Sequence, residues 1–375
     1  MEKLKLMTIV GTRPEIIKLS ALIPLADEHF EHILVHTGQN YDYELNEIFF
    51  EQLKIRKPNF FLEANRDSFA ETIGDIIIKV DKLLYSEKPD AILIYGDTNS
   101  ALSAIPAKRK QIPIFHMEAG NRCFDQRVPE EINRKIIDHL SDINLPISEH
   151  AKGYLINEGI KPETIIKVGS SMPEVFAKNI EMIQKNNILK KEKLDEKKYF
   201  LISLHREENV DNEINLKKIL KALDLISNKF AMPILISTHP RTKKRLEEIN
   251  YSNKNKLIRF MKPLGFHEYN KLQMNSFCVI SDSGTISEES SILNFPAISI
   301  RESNERPEAL DEGVCIMSGL NQNSILNSIY LTNSLAEKGY SSSKVKDYKS
   351  ENTSYKVLKT ILSFHDYVNK KVWFK

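Results

Sequence analysis

The sequence predicts an α/β protein built as two doubly wound domains that face a central cleft. Three observations carry this. The chain has 375 residues, more than one hydrophobic core ordinarily serves. Short apolar runs alternate with segments of helical spacing, once through each half, as buried parallel strands joined by helices require. Many of those runs end in Gly, Asp, Glu, His or Ser-Gly, residue types that an open parallel sheet presents at its carboxyl edge.

The elements follow in order. Residues 4–10 are apolar and strand-like, and Ile16, Ile17, Leu19, Leu22 and Ile23 give 14–28 a helical spacing. A strand at 33–36 precedes amphipathic helices at 41–53 and 68–85. Strands at 91–95, 113–116 and 143–146 alternate with helices at 100–109 and 130–140. After 165–168 the chain changes character, and the lysine-rich stretch 178–198 reads as a helix end and a surface connection. A second alternation then starts. Its strands are 199–204, 233–237, 257–259, 277–281 and 297–300, with helices at 213–229, 241–249, 267–275 and 286–293. The polar stretch 341–355 reads as a loose connection before a last helix at 355–368. The expected division is 1–170, 171–352 and a C-terminal helical segment, 353–375.

Bulk composition narrows the function classes. The chain is 41% hydrophobic and 28% charged, and its 53 Lys and Arg nearly balance its 51 Asp and Glu. That balance gives no electrostatic reason to expect a nucleic acid or an acidic membrane as partner. The apolar run at the N-terminus is too short for a signal-peptide core, and no run approaches a bilayer span. Cys123, Cys278 and Cys315 are scattered and odd in number, which fits neither a disulfide framework nor a zinc site. A cytoplasmic location is expected.

Chemistry concentrates at the predicted strand ends. Gly11-Thr12-Arg13-Pro14-Glu15 closes the first strand and opens a helix, whose free N–H groups and Arg13 suit an anion. Gly96-Asp97-Thr98 ends another strand and places a carboxylate on the same edge. The segment Glu118–Asn133 follows a third, with Glu118, Asp125, Glu130 and Glu131 beside Arg122 and Arg127. In the second half, His205 and His239 each follow a strand, and neither has a His or Cys at metal-ligand spacing, so no metal is expected. Ser283 and Gly284 open a helix that can cradle a phosphate, with Glu288 and Glu289 one to two turns further on, within reach of a ribose diol, and Arg306 follows the last strand. A solvated charged loop or a plainly capped helix accounts for any one of these motifs alone. Nothing matches the dinucleotide glycine fingerprint or a P-loop, so neither a nicotinamide cofactor nor ATP-hydrolysis chemistry is expected, and no G-x-S-x-G elbow appears.

Taken in order, GTRPE, GDT, EAG, PEE-x-NR, HRE-x-N, DSG-x-x-x-EE and ERPE resemble the non-hydrolysing UDP-N-acetylglucosamine 2-epimerases, from Met7 to about Gly319. The resemblance implies two Rossmann-like domains of the glycosyltransferase-B type, with the C-terminal helix packed on the first. It implies a UDP-sugar substrate and C2 inversion through a 2-acetamidoglycal, formed as UDP leaves C1 and C2 loses its proton. By motif match, Asp97, Glu118 and Glu130 are the acid–base candidates, and which is base or acid stays open. Arg13, His205, His239, Ser283, Gly284, Glu289 and Arg306 would bind UDP, with His205 also catalytic.

The departures are informative. The EAG-to-PEE loop is about two residues short, with Asn121 and Cys123 where leucine and threonine are common in the family. Segment 38–43 lacks the Gln-His pair of the family's second, activating substrate site, so such activation is not implied. The signature EAGNRCFDQ-x-VPEEINRK resembles the branch converting UDP-2-acetamido-2,6-dideoxy-L-talose to UDP-N-acetyl-L-fucosamine. Asn121, Arg122, Cys123, Glu131 and Arg134 would line the sugar pocket, Cys123 as a wall rather than a nucleophile. The resemblance further implies a homodimer, upstream nucleotide-sugar dehydratase and reductase enzymes, and a product destined for capsule or O-antigen. Rivals on the same fold are UDP-N-acetylglucosamine as substrate, a hydrolysing 2-epimerase and a retaining glycosyltransferase.

Overall fold

A computed structural model describes residues 3–38, 47–64, 68–339 and 345–375. The chain divides into two units, one made of Met1–Lys178 with Asp347–Lys375, the other of Asn179–Lys346.

The first unit holds six strands: β1 (Lys5–Val10), β2 (Glu31–His36), β3 (Phe60–Phe61), β4 (Ala91–Tyr95), β5 (Ile114–Met117) and β6 (Ile143–Leu145). All pair in parallel in the order β3-β2-β1-β4-β5-β6. Helices bury both faces, which is why β4 is apolar and fully buried along its whole length. Ile76, Val80 and Leu84 from helix Phe69–Glu87, and Ile137 from helix Pro129–Leu140, close part of this core.

The second unit repeats the design with β7 (Phe200–Leu204), β8 (Ile234–Thr238), β9 (Ile258–Met261), β10 (Cys278–Ser281), β11 (Ala297–Ser299) and β12 (Ile316–Met317). Its order is β12-β11-β10-β7-β8-β9, again all parallel. In each sheet the strand order reverses between its first and fourth strands, β1 with β4 and β7 with β10. Doubly wound sheets bind ligands outside the carboxyl ends of such a pair.

Several elements differ from the sequence reading. The helix expected at 14–28 is two helices, Arg13–Leu19 and Leu22–His29. Pro24 explains the break, because it has no N–H and its ring would meet the Ser20 carbonyl four residues back. The helix at 100–109 starts as a 3₁₀ turn, Asn99–Ser103, before Ala104–Arg109, for the same reason at Pro106. The connection at 178–198 ends helix Met172–Lys185 and adds a short turn, Ile188–Lys191, burying Ile183 and Ile188. Strands β3 and β12 are two residues each, too short to leave a periodic trace. Of the helix expected at 41–53, Glu47–Gln52 is observed; residues 39–46 and 340–344 lie outside the described residues.

The last helix, Thr353–Lys371, belongs to the first unit. It buries Val357, Leu358, Ile361 and Val368. At its start, the Glu174 carboxylate accepts from the Ser354 amide at 3.0 Å and its hydroxyl at 2.8 Å.

Candidate active site

The carboxyl edge of the first sheet gathers four carboxylates, Glu15, Asp97, Glu118 and Glu130, with groups that hold them. Behind β1 the chain turns at Gly11 and Thr12 into helix Arg13–Leu19. Two N–H groups at this turn are taken by a side chain of the helix itself. Glu15 Oε2 accepts from the Gly11 amide at 2.6 Å and the Thr12 amide at 2.7 Å. The chain's own carboxylate thus takes the Gly11 and Thr12 amides at this turn. Arg13 is half-buried, with its guanidinium carbon 5.6 Å from the centre of the Phe49 ring.

One turn further, Lys18 is buried and its Nζ lies 2.5 Å from Glu118 Oε2. Asn121 Nδ2 donates to the other Glu118 oxygen at 3.2 Å. Glu118 itself has φ +63°, a left-handed conformation that costs a non-glycine residue free energy and recurs at functional sites. Asp97, just past β4, accepts from Arg134 Nε at 3.0 Å and Nη2 at 2.6 Å. Glu130 is half-buried in the first turn of helix Pro129–Leu140.

The loop between Gly120 and Pro129 is pinned from below. Glu131, fully buried, accepts from the amides of Cys123 at 3.1 Å and Phe124 at 3.2 Å and pairs with Arg134. Arg122 is 1% exposed, forks onto Glu158 at 2.7 and 2.6 Å and reaches Asp138 at 2.7 Å. Asp138 also takes the Gly120 amide and lies 2.9 Å from His116 Nδ1, while His116 Nε2 lies 2.8 Å from Gly96 O. Burial pushes the Cys123 thiol up to about 11, which keeps it protonated at neutral pH.

The carboxyl edge of the second sheet is organised around Asp282, fully buried just past β10. Its carboxylate accepts from the amides of His205 and Arg206 and from Asn209 Nδ2, at 3.1 to 3.2 Å, tying the turn behind β7 to the turn behind β10. Burial pushes this carboxyl above its usual range, against those hydrogen bonds. His205 Nδ1 lies 3.2 Å from Asp282 Oδ1, and the rings of His205 and His239 are centred 6.4 Å apart. His239 caps helix Pro240–Glu248, accepting from the Arg241 amide.

Ser283 and Gly284 sit under two arginines that sequence reasoning missed. A Cβ placed on Gly284 would lie 3.5 Å from Arg206 Nη2 and 3.7 Å from Arg301 Nη1. Glu305 holds both, at 3.7 Å from Arg206 and 2.8 Å from Arg301. Arg306 pairs with buried Glu288 at 3.4 Å, and Glu289 accepts from Thr285 at 2.9 Å and Gln273 at 2.6 Å. Arg301, two residues past β11, carried no motif signal; Lys18 was hidden by its helical spacing among core residues, and Glu15 was visible only as part of the Gly11–Glu15 turn. Among the described residues, no group of three or more His, Cys, Asp and Glu is arranged to hold a metal ion. No helix of the described residues is long and apolar enough to cross a membrane.

Two parallel six-stranded sheets, each with ionisable groups at its strand-order reversal, define a class that comparison makes specific. The UDP-N-acetylglucosamine 2-epimerase family signature matches residues 25–362. The solved UDP-N-acetylglucosamine 2-epimerase of Rickettsia bellii is 53% identical, each chain covering the whole of the other, with a TM-score of 0.93. The Methanocaldococcus jannaschii UDP-GlcNAc 2-epimerase, solved with UDP-GlcNAc and UDP, is 34% identical with a TM-score of 0.90, over 96% of this chain and 100% of that one. The UDP-2,3-diacetamido-2,3-dideoxy-D-glucuronate 2-epimerase of Pseudomonas aeruginosa is 33% identical, over 87% of this chain and 91% of that one. The chain belongs to the UDP-N-acetylglucosamine 2-epimerase family. It is a UDP-sugar 2-epimerase, an isomerase, with the two-sheet fold of the solved epimerases.

Proposed function

We propose that the enzyme inverts C2 of UDP-2-acetamido-2,6-dideoxy-L-talose to give UDP-N-acetyl-L-fucosamine. The observation that carries this reading is the 121–128 loop, shortened and rebuilt in sequence, and locked by Glu131 and Arg122 next to Glu118. A loop fixed so close to an acid–base carboxylate is where a pocket would change its preference between sugars. Relatives in the family carry names with different sugars, so substrate varies on this scaffold.

In the proposed reaction the C1–O bond breaks with its electron pair going to UDP, while the C2 proton passes to a carboxylate. A proton then reaches C2 on the other face and UDP re-adds at C1. Arg13, His205, His239, Arg306 and the Ser283–Gly284 turn take the charge developing on the diphosphate. Glu289 holds the uridine ribose. Glu118, Asp97 and Glu130 divide the proton transfers. Lys18, Asn121 and Arg134 fix the rotamers of Glu118 and Asp97; Arg122 and Glu131 shape the loop, and Cys123 forms a neutral wall.

The second reading, UDP-N-acetylglucosamine as substrate, is favoured by the names of the Rickettsia and Methanocaldococcus relatives. Proton NMR in deuterated water, with each substrate offered separately, decides. Deuterium entering C2 of the L-sugar alone, with a fucosamine product, supports the first reading. Exchange confined to the D-gluco substrate replaces it with the second.

A further inference from the structure

The buried side chain of Glu15 joins helix Arg13–Leu19 to the turn behind β4. Glu15 is 2% exposed, and its two carboxylate oxygens serve two different loops. Oε2 takes the Gly11 amide, the Thr12 amide and, at 3.1 Å, the Thr12 hydroxyl. Oε1 takes the Thr98 hydroxyl at 2.6 Å. Arg13 lies between Thr12 and Glu15, and Asp97 precedes Thr98. The carboxylate thus spans the strand-order reversal of the first sheet, with a candidate diphosphate ligand on one side and a candidate acid–base group on the other.

Helix capping accounts for only part of this arrangement. Thr12 and Glu15 form a capping box, in which the Glu15 carboxylate takes the Thr12 amide, and that box asks nothing of the loop behind β4. A buried carboxylate is costly, and here burial pushes Glu15 up to about 7 despite four hydrogen bonds. What Glu15 adds is the second bond, to the neighbouring loop.

We propose that Glu15 is a positioning residue whose carboxylate locks the Arg13 turn to the Asp97 turn, holding leaving-group stabilisation and proton transfer in one register. The proposal rests on the roles given above to Arg13 and Asp97. It follows that the Glu15–Thr98 bond matters to the chemical step more than to nucleotide binding. Loss of that link lets the two turns drift, and a misplacement of about 1 Å costs on the order of 100-fold in rate.

The test compares Thr98→Val, Glu15→Ala and Glu15→Gln with the wild type. Each is measured for thermal melting, UDP affinity by calorimetry, and kcat and KM for C2 deuterium exchange. Thr98→Val removes only the hydroxyl and should keep the fold, hold UDP affinity and KM within about 3-fold, and lower kcat at least about 10-fold. Glu15→Ala should do the same more severely. Glu15→Gln keeps an oxygen for the Gly11 and Thr12 amides and an amide that can donate to Thr98 Oγ1, so it should recover most of the rate. Folded Thr98→Val with wild-type kcat overturns the proposal, as does Glu15→Gln no better than Glu15→Ala, or a loss of UDP affinity matching the loss of rate. If Glu15→Ala does not fold, Thr98→Val decides alone. Absence of exchange in the wild type on both UDP-sugars would instead overturn the reaction on which the proposal rests.

Discussion

At the scale of single residues, the first sheet's edge shows how a carboxylate acquires a role from its neighbours. Glu118 meets Lys18 and Asn121, Asp97 meets the fork of Arg134, and Glu15 meets only hydrogen-bond donors. Replacing Glu118 by Gln should leave UDP affinity within about 3-fold and slow C2 deuterium exchange by roughly 100-fold or more. Exchange at the wild-type rate would remove Glu118 from the proton path. Glu15 carries a pH consequence as well. Its folded pKa, about 7, lies above the ordinary 4.5, so ionising it inside the fold costs free energy. That cost, roughly 3 kcal/mol, is present above about pH 7 and fades as pH falls toward 4.5. Urea denaturation of wild type and Glu15→Gln across this window should show the wild type gaining stability relative to the variant as pH drops. A constant difference between the two would contradict the raised pKa.

At the scale of elements, the turns behind the strands are held by buried acids and not by their own sequence. Asp282 ties the turn of β10 to that of β7, and its replacement by Ala would strand two amides and the Asn209 side chain. A loss of about 3 kcal/mol is expected in a urea titration, with UDP binding weakened at least about 10-fold by calorimetry. Gly120 has φ +80°, and an added Cβ there would strike the carbonyl oxygen of Ala151. Gly120→Ala should therefore lower stability by at least about 2 kcal/mol, read as a shifted urea midpoint. These contacts mark the limit of what the sequence revealed. Apolar runs such as 91–95 announced their strands because burial on both faces forbids polar residues. Helix Gln322–Glu337 escaped notice because its apolar positions sit among Asn and Ser, although Asn321 caps it and Ile325 and Ile329 bury one stripe. The motifs pointed to Arg13, Asp97, Glu118 and Glu130, since each stands at a strand end or helix start. Lys18 and Arg301 were invisible because their partners, Glu118 and Glu305, meet them only after folding.

At the scale of the whole molecule, the two units repeat one strand order, but they are not equivalent along the chain. The second unit is one continuous segment, Asn179–Lys346, whereas the first is completed by residues from the far end. Removing residues 353–375 should strip cover from the first unit's core and take from the buried Glu174 carboxylate its two Ser354 donors. Limited proteolysis of that truncated chain is expected to degrade the first unit while a fragment spanning the second survives. Equal resistance of both would mean the helix adds little. The same discontinuity orders events on the ribosome. A nascent chain that has released its first 178 residues cannot yet bury the surface waiting for Thr353–Lys371, and the second unit can close before the first is whole. The first unit therefore matures last, only when translation has passed Thr353–Lys371, so a stalled or shortened product would retain an intact second unit beside an unfinished first one.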